Sequence, residues 1–241
     1  MTTGIIVALP EEISTLTSAS LQQGEIIRLN NNTLLMLAGA GPENAAHAAY
    51  QLIKYEGASR LISWGCAAAL VDYLTPGDLI LAENLIAEDQ EILKCDPNWL
   101  SYTREILKHL SLFQEPLTTS QHIVDTAEAK QRLHIETQAV AVDMESAAIA
   151  RIAKQHHCPF LLIRSIADTA NMNLPQAIAR AMNAEGRVDI SKLLLFILKK
   201  PSEIPSLIHL GLCFSSAKKT LTAIAKHLDK IVGFESKTLN T

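Results

Sequence analysis

Apolar residues in this chain gather in short continuous runs, and the stretches between them carry polar residues at helical spacing. "GIIVALP" (4–10) is one such run, closed by Pro10, with the form of a buried strand. "EIIRLNNNTLLMLAGAG" holds two more around an Asn-rich turn, which predicts a hairpin. Residues 42–57 open with Pro42-Glu43, carry alanines through their body and end at Gly57, the start and stop signals of a helix. "ASRLISWGCAAAL" predicts a strand running into a small-residue turn, and "GDLILAENLIA" a further strand after Pro76-Gly77. Helical spacing follows at 98–112 and 126–136. "AVAVD" returns to strand, "MESAAIARIAKQHH" to helix, and "FLLIRSIA" reads as a central buried strand. This alternation argues for a layered α/β domain about a largely parallel sheet. No repeat, linker or low-complexity stretch divides the chain, so residues 1–241 are read as a single domain.

The last quarter breaks the rhythm. "VDISKLLLFILKK" is almost continuously apolar from Ile190 to Leu198, and Pro201 and Pro205 interrupt the chain after it. "SLIHLGLCF" follows, and "SSAKKTLTAIAKHLDKIVGF" ends with helical periodicity. A run of that length is too short to span a bilayer, which takes about 20 residues. Two readings stand: helices packed onto the core, or a surface-seeking amphipathic segment that meets a membrane or a lipidic substrate.

Composition narrows the partners. With 48% hydrophobic, 19% charged and 5% aromatic residues, the chain has an ordinary soluble composition tilted to aliphatics. A chain of this size can bury roughly 70–75% of its extended surface, enough for a full core. Its net charge is −4, and its lysines and arginines are scattered without a basic stripe, which argues against nucleic acid. "MTTGIIVALPEE" has neither a basic leader nor a long apolar stretch and is not read as a signal peptide. Cys66, Cys95, Cys158 and Cys213 are far apart with no C-x-x-C, the pattern of free thiols in a reducing compartment. The expected location is cytoplasmic.

Carboxylates stand where strands end. Glu145 lies just past "AVAVD", in the first turn of a helix, where the dipole favours a negative charge by a few tenths of a kcal/mol. That is an ordinary structural role, and Asp143 is read as structural too. The carboxyl ends of strands in open α/β sheets are also where ligands bind, and a carboxylate there can accept two hydrogen bonds from a vicinal diol such as a ribose. Asp168 follows "FLLIRSIA". It either caps the next segment or, with its charged form disfavoured at the lip of an apolar strand, stays protonated and serves as a general acid. Two carboxyls in unlike environments are what glycosidic cleavage requires, one for the leaving group and one for the cation or the water.

Glu11 and Glu12, after the first strand, are a further source of carboxylate, or merely the acidic first turn of a helix begun at Pro10. Gly39 and Gly41 would let a ligand approach the backbone, although G-x-G-x-x-G is incomplete with Asn44 in its last place. His156-His157 fit a helix C-terminus. There is no Walker A, G-x-S-x-G or H-E-x-x-H, and no metal site is expected.

Taken in order, "GIIVALPEE", "AGAGPENAAHAA", "SWGCAAALVDYLTPGDLILA" and "AVDMESAAIARIAKQHHCPFLLIRSIADTA" resemble the hallmark segments of the purine nucleoside phosphorylase/methylthioadenosine nucleosidase superfamily, nearly continuously over 4–170. The most specific block is 139–170, with Met144-Glu145 and Ser165-Ile166-Ala167-Asp168. "LPQAIARAMNAEGRVDISKLLLFILKKPSEIPSLI" looks like the extension of one branch, the hopanoid-associated nucleoside phosphorylases, thought to remove adenine from adenosylhopane. The resemblance implies a three-layer α/β/α nucleoside phosphorylase-like fold with a central mixed, largely parallel sheet, and a branch-specific helical extension at about 174–241. It implies that Asp168 protonates the purine at N7, that Glu145 holds the ribose hydroxyls with Met144 on the sugar, and that Glu12 (or Glu11) guides the attacking water. Cys66, Ala67, His122 and Ile123 would line the base pocket.

The family's G-x-A-G-G-L turn reads Gly65-Cys66-Ala67-Ala68-Ala69-Leu70 here, and a lost glycine matters where φ is positive or a ligand comes close. A phosphate nucleophile calls for arginines, yet the loops at 10–12 and 39–42 have none, so water is favoured over phosphate as co-substrate. Backbone amides are the remaining way to bind phosphate. No cofactor is expected. The expected partners are a small-molecule nucleoside, a second copy in a homodimer, and a peripheral contact with the inner membrane. The alternatives are a methylthioadenosine/S-adenosylhomocysteine nucleosidase, or a non-catalytic nucleoside-binding protein of the same fold.

Overall fold

The computed structural model describes residues 1–175, 178 and 200–234. Four short elements begin it: β1 (Thr3–Val7), α1 (Pro10–Ile13) and the hairpin of β2 (Ile26–Asn30) with β3 (Thr33–Leu37). β1 and β3 are buried at every position, which a strand tolerates only when both faces of the sheet are covered. Next come α2 (Pro42–Lys54), β4 (Arg60–Ala69), β5 (Leu79–Ile80), β6 (Asn84–Ile86) and β7 (Ile92–Lys94). The second half runs α3 (Pro97–Leu107), β8 (Leu112–Phe113), β9 (Leu117–Thr119), α4 (Ala127–Thr137), β10 (Ala141–Asp143), α5 (Ser146–Gln155) and β11 (Phe160–Asp168). A 3-10 turn at Pro201–Glu203 leads into the helices α6 (Ile204–Ala225) and α7 (Leu228–Val232).

The described strands form one mixed sheet in the order β2-β3-β1-β4-β10-β9-β6-β7, with β11 pairing β4 and β5, and β5 pairing β8. Its centre is parallel: Ile5 lies opposite both Leu35 and Ile62, and Leu161 lies opposite Ile62. β11 is buried from Phe160 to Ala167, and α5 and α6 both pack against β4 and β11. Helices therefore cover the central strands, and the layered α/β fold with a mixed, largely parallel sheet is what the alternating pattern predicts.

Several boundaries differ from the sequence reading. The segment 65–69 is a strand, not a turn: it continues β4 because Ser165–Asp168 of β11 and Ala141–Val142 of β10 supply it with partners. Ala67, Ala68 and Ala69 do not have positive φ, so the missing glycines leave no backbone strain. "GDLILAENLIA" divides into β5 and β6, and the helix expected over 98–112 ends at Leu107, with Leu112–Phe113 taken into the sheet. Pro205 does not stop a helix but occupies the first turn of α6, where its missing N–H is no loss.

The apolar run 190–198 lies outside the described residues. Within 200–234, Leu221, Ile224, Leu228, Ile231 and Val232 join the main core. The last turn is pinned there: Trp99 Nε1 donates to Ile231 O at 2.7 Å, and the Arg60 guanidinium, stacked 5.0 Å from the Trp99 ring, donates to Val232 O and Phe234 O.

Candidate active site

The carboxyl ends of β1, β4, β10 and β11 converge, and each delivers a charged or polar group. Glu12 comes from α1, directly after β1. It is buried, whereas Glu11 is exposed, so of the two adjacent carboxylates it is Glu12 that faces inward. Its Oε1 accepts from the Cys66 amide at 2.7 Å and its Oε2 from the Leu9 amide at 3.2 Å. A Cβ built on Gly65 would stand 2.6 Å from Glu12 Oε1 and 2.9 Å from Arg164 Nη1, so carboxylate and guanidinium lie together over the bare backbone of β4. Burial raises the Glu12 carboxyl above its usual range, against the pull of Arg164 and the two amides. Burial and the Glu12 charge push the Cys66 thiol well up, so that it is no thiolate.

Arg164 is the centre of this cluster, and sequence reading passed over it inside "FLLIRSIA". The guanidinium is buried; Nε donates to Asp143 Oδ2 at 2.7 Å, and Nη2 to Ser63 Oγ at 2.8 Å and Ser146 Oγ at 3.1 Å. Nη1, on the Gly65 and Glu12 side, has no hydrogen-bond partner among the described residues. The available signal was a permanent charge within a continuous apolar run, which requires a buried counter-charge elsewhere. Asp143 is that counter-charge. It also accepts from the amide and the hydroxyl of Ser146, so Asp143 rather than Glu145 caps α5.

Glu145 is thereby released from its helix. It occupies the N-cap position but makes no capping bond; its Oε1 instead accepts from the Gly41 amide at 2.9 Å, at the start of α2. Gly41 adopts φ +96° and Gly39 φ +87°, a left-handed backbone that glycine adopts freely. Burial first, then the Asp143 charge, drive the Glu145 carboxyl up to about 7, with Arg164 and the Gly41 amide opposing. Three carboxyls thus surround one guanidinium, and the charges of Asp143 and Glu12 add to the upward push on Glu145.

Asp168 ends β11. The register against β4 slips between Ile166 and Asp168, so Ala67 faces Ile166 while Ala68 faces Asp168. Such a bulge turns a side chain relative to the rest of its strand. Asp168 does not cap the following segment: its Oδ2 pairs with Lys130 Nζ of α4 at 2.6 Å, and its buried Oδ1 has no hydrogen-bond partner among the described residues. Burial raises its carboxyl, and Lys130 pulls it back. Lys130, fully buried, was also missed in the sequence, since α4 carries no evident apolar face to mark which side turns inward.

Met144, partly buried, lies between Asp143 and Glu145, and Cys66 and Ala67 run beside Ser165 and Ile166. His122 and Ile123 stand exposed in the loop after β9, apart from the carboxylate network. That loop does adjoin the segment after Asp168: Leu174 N donates to Asp125 O at 2.7 Å and Ala127 N to Asn173 Oδ1 at 2.8 Å. Among the described residues no group of His, Cys, Asp and Glu has the arrangement of a metal site.

The fold thus sets the Lys130-paired carboxyl of Asp168 and an arginine-centred carboxylate cluster at the ends of neighbouring strands. The profile of the Phosphorylase superfamily matches residues 2–195, and the chain belongs to that family. The chain is 28% identical over 200 residues to the 5′-methylthioadenosine/S-adenosylhomocysteine nucleosidase of Buchnera aphidicola subsp. Baizongia pistaciae, covering 70% of this chain and 79% of the relative. It is 28% identical over 204 residues to the enzyme of that name from Listeria monocytogenes, covering 71% and 88%. Among solved structures, the Helicobacter pylori 5′-methylthioadenosine/S-adenosylhomocysteine nucleosidase with butyl-thio-DADMe-Immucillin-A superposes with a TM-score of 0.70 at 19% identity, over 96% of this chain and 97% of that one. The futalosine hydrolase of the same organism gives the same values. These two show a shared fold.

Proposed function

We propose that the chain hydrolyses the N-glycosidic bond of an adenine nucleoside. The observation that carries this reading is the placing of Asp168, with a buried and unpartnered oxygen, at the same sheet edge as Glu145, Glu12 and Arg164. In this reading Glu145 accepts hydrogen bonds from the ribose hydroxyls and Met144 packs on the sugar. Cys66 and Ala67 border the base, and His122 and Ile123 close over it from their loop. Asp168 donates its proton to N7 of the purine as the bond to C1′ lengthens. The carboxylate cluster stabilises the cationic ribosyl ring by field. Glu12 takes a proton from a water, aimed by Arg164 Nη1, whose oxygen then bonds to C1′, and adenine and the free sugar are released.

The cluster also favours water over phosphate. A phosphate dianion would meet a cluster where Asp143, Glu12 and Glu145 already oppose one guanidinium, and like charges so close disfavour a further anion.

For the 5′ substituent we infer a large apolar group, adenosylhopane-like, which would set the chain in hopanoid biosynthesis with a peripheral membrane contact. What supports this is α6, whose outward residues Ile204, Ile208 and Leu212 are 40%, 59% and 62% exposed. Among the described residues no helix is long and apolar enough to cross a membrane. A 5′-methylthioadenosine/S-adenosylhomocysteine nucleosidase is the second reading, favoured by the names of the relatives.

Incubation with methylthioadenosine, adenosine and adenosine bearing a long apolar 5′ chain, each with and without phosphate, tests both readings. Free adenine and the free sugar with its 5′ substituent retained are expected in either medium, with the apolar nucleoside turned over best. Ribose 1-phosphate as product would replace hydrolysis by phosphorolysis, and no adenine from any substrate would leave only a binding protein.

A further inference from the structure

Lys130 has an unusual setting for a lysine: its side chain is 0% exposed, on a helix whose sequence is otherwise polar. Its Nζ meets Asp168 Oδ2 at 2.6 Å, Thr169 O at 2.8 Å and Met172 O at 2.8 Å. An ammonium has three N–H donors and no acceptor, so these contacts use it fully and leave it no role as base or nucleophile. A buried ion pair is also a poor way to gain stability, because desolvating each charge costs several kcal/mol that mutual attraction repays only in part. Such a pair beside a reaction site calls for a reason in the chemistry.

We propose that Lys130 is the positioning residue for Asp168: by occupying Oδ2 and tying it to the carbonyls of Thr169 and Met172, it makes Oδ1 the oxygen that carries the proton to the leaving base. The inference rests on the general-acid role of Asp168 proposed above. An oxygen that accepts a short bond from an ammonium cannot present a proton to the same hydrogens, so the carboxyl proton resides on the other oxygen. That oxygen, Oδ1, is buried with no hydrogen-bond partner among the described residues. When its proton passes to the purine nitrogen, Asp168 acquires full negative charge against an ammonium already in place. The attraction is therefore stronger in the transition state than before it, which is the condition for an interaction to raise kcat.

The test compares two leaving groups in Lys130→Gln and Lys130→Met, with folding checked by circular dichroism. Adenine must be protonated to leave, whereas the phenolate of 4-nitrophenyl β-riboside leaves without a proton. Both variants should lose adenine release by about 10²-fold or more, within the range of general-acid contributions, and keep nitrophenolate release within a few-fold. Asp168→Asn should show the same split, and Lys130→Gln should add nothing in that background. Equal loss on both substrates would make Lys130 a structural residue and overturn the proposal. So would full adenine release in both lysine variants while Asp168→Asn is inactive. If Asp168→Asn itself releases adenine normally, the general-acid reading fails, and that result is distinct from the others. Gln keeps a hydrogen-bond donor and Met keeps the length, so the two tolerate different packing at a buried site.

Discussion

Burial and the Asp143 charge push the Glu145 carboxyl from its ordinary 4.5 up to about 7, so its charge is held under tension. Between those two values the folded chain binds this proton more tightly than the unfolded chain does. Stability therefore falls as pH rises from about 4.5 through about 7, and the full cost stands above that window. Glu145→Gln keeps an acceptor for the Gly41 amide and removes the charge. It should melt higher than the unsubstituted protein at pH 8, by the equivalent of about 1–3 kcal/mol, and show no such gain at pH 4.5. The same variant should lose nucleoside binding, because an uncharged amide is a weaker acceptor for a diol. In the unsubstituted protein an inert nucleoside analogue should bind more tightly as pH rises through about 7. An unchanged melting point at pH 8 would show that the charge is not under tension. Glu145 and Asp168 were legible in the sequence because each stands where an apolar run stops. Arg164 and Lys130 were not, since a buried charge is explained only by its partners, and Asp143 lies 21 residues from Arg164.

At the scale of elements, β4 decides what the site can hold. Small residues in "GCAAAL" suggested a turn, and composition alone could not reveal that β10 and β11 would extend the strand through it. Glycine is indispensable at one place in this segment, for reasons of space. At Gly65 an added methyl would press on Glu12 Oε1 at 2.6 Å and Arg164 Nη1 at 2.9 Å, closer than real contacts allow. Gly65→Ala should therefore displace the Glu12 carboxylate and cut turnover by about 10²-fold, the order expected when a base or an aimed water is lost. Ala68→Gly and Ala69→Gly, by contrast, restore the family's glycines without relieving strain, as neither alanine has positive φ. Each should cost roughly 0.5–1 kcal/mol of stability and leave turnover nearly unchanged. Steady-state rates and thermal melts of these variants distinguish the two accounts. A gain in turnover from either glycine would mean that the alanines crowd the substrate after all.

Across the whole molecule, α6 has two unlike faces. Cys213, Ala217, Leu221 and Ile224 face inward, and burial first, then the Asp168 charge, raise the Cys213 thiol, so this helix packs on β11 close to Asp168. The opposite face carries Ile204, Ile208 and Leu212 in successive turns and then Lys219 and Lys226, all exposed. The sequence left two readings of the C-terminal quarter, packing helices or a surface-seeking segment, and one helix now combines buried and exposed apolar faces. Aliphatic residues that insert at a lipid interface and lysines that meet anionic headgroups make such a face suited to a membrane surface. Removing the C-terminal residues would not test it, since Leu221, Ile224 and Leu228 belong to the main core. Ile208→Asp with Leu212→Asp leaves those inward residues untouched. The double variant should lose co-sedimentation with anionic vesicles and turnover of a vesicle-borne, apolar adenine nucleoside, while hydrolysis of methylthioadenosine in solution stays the same. If the unsubstituted chain ignores vesicles and the variant instead shifts to a smaller species in light scattering, the face joins copies of this chain and the membrane contact is refuted.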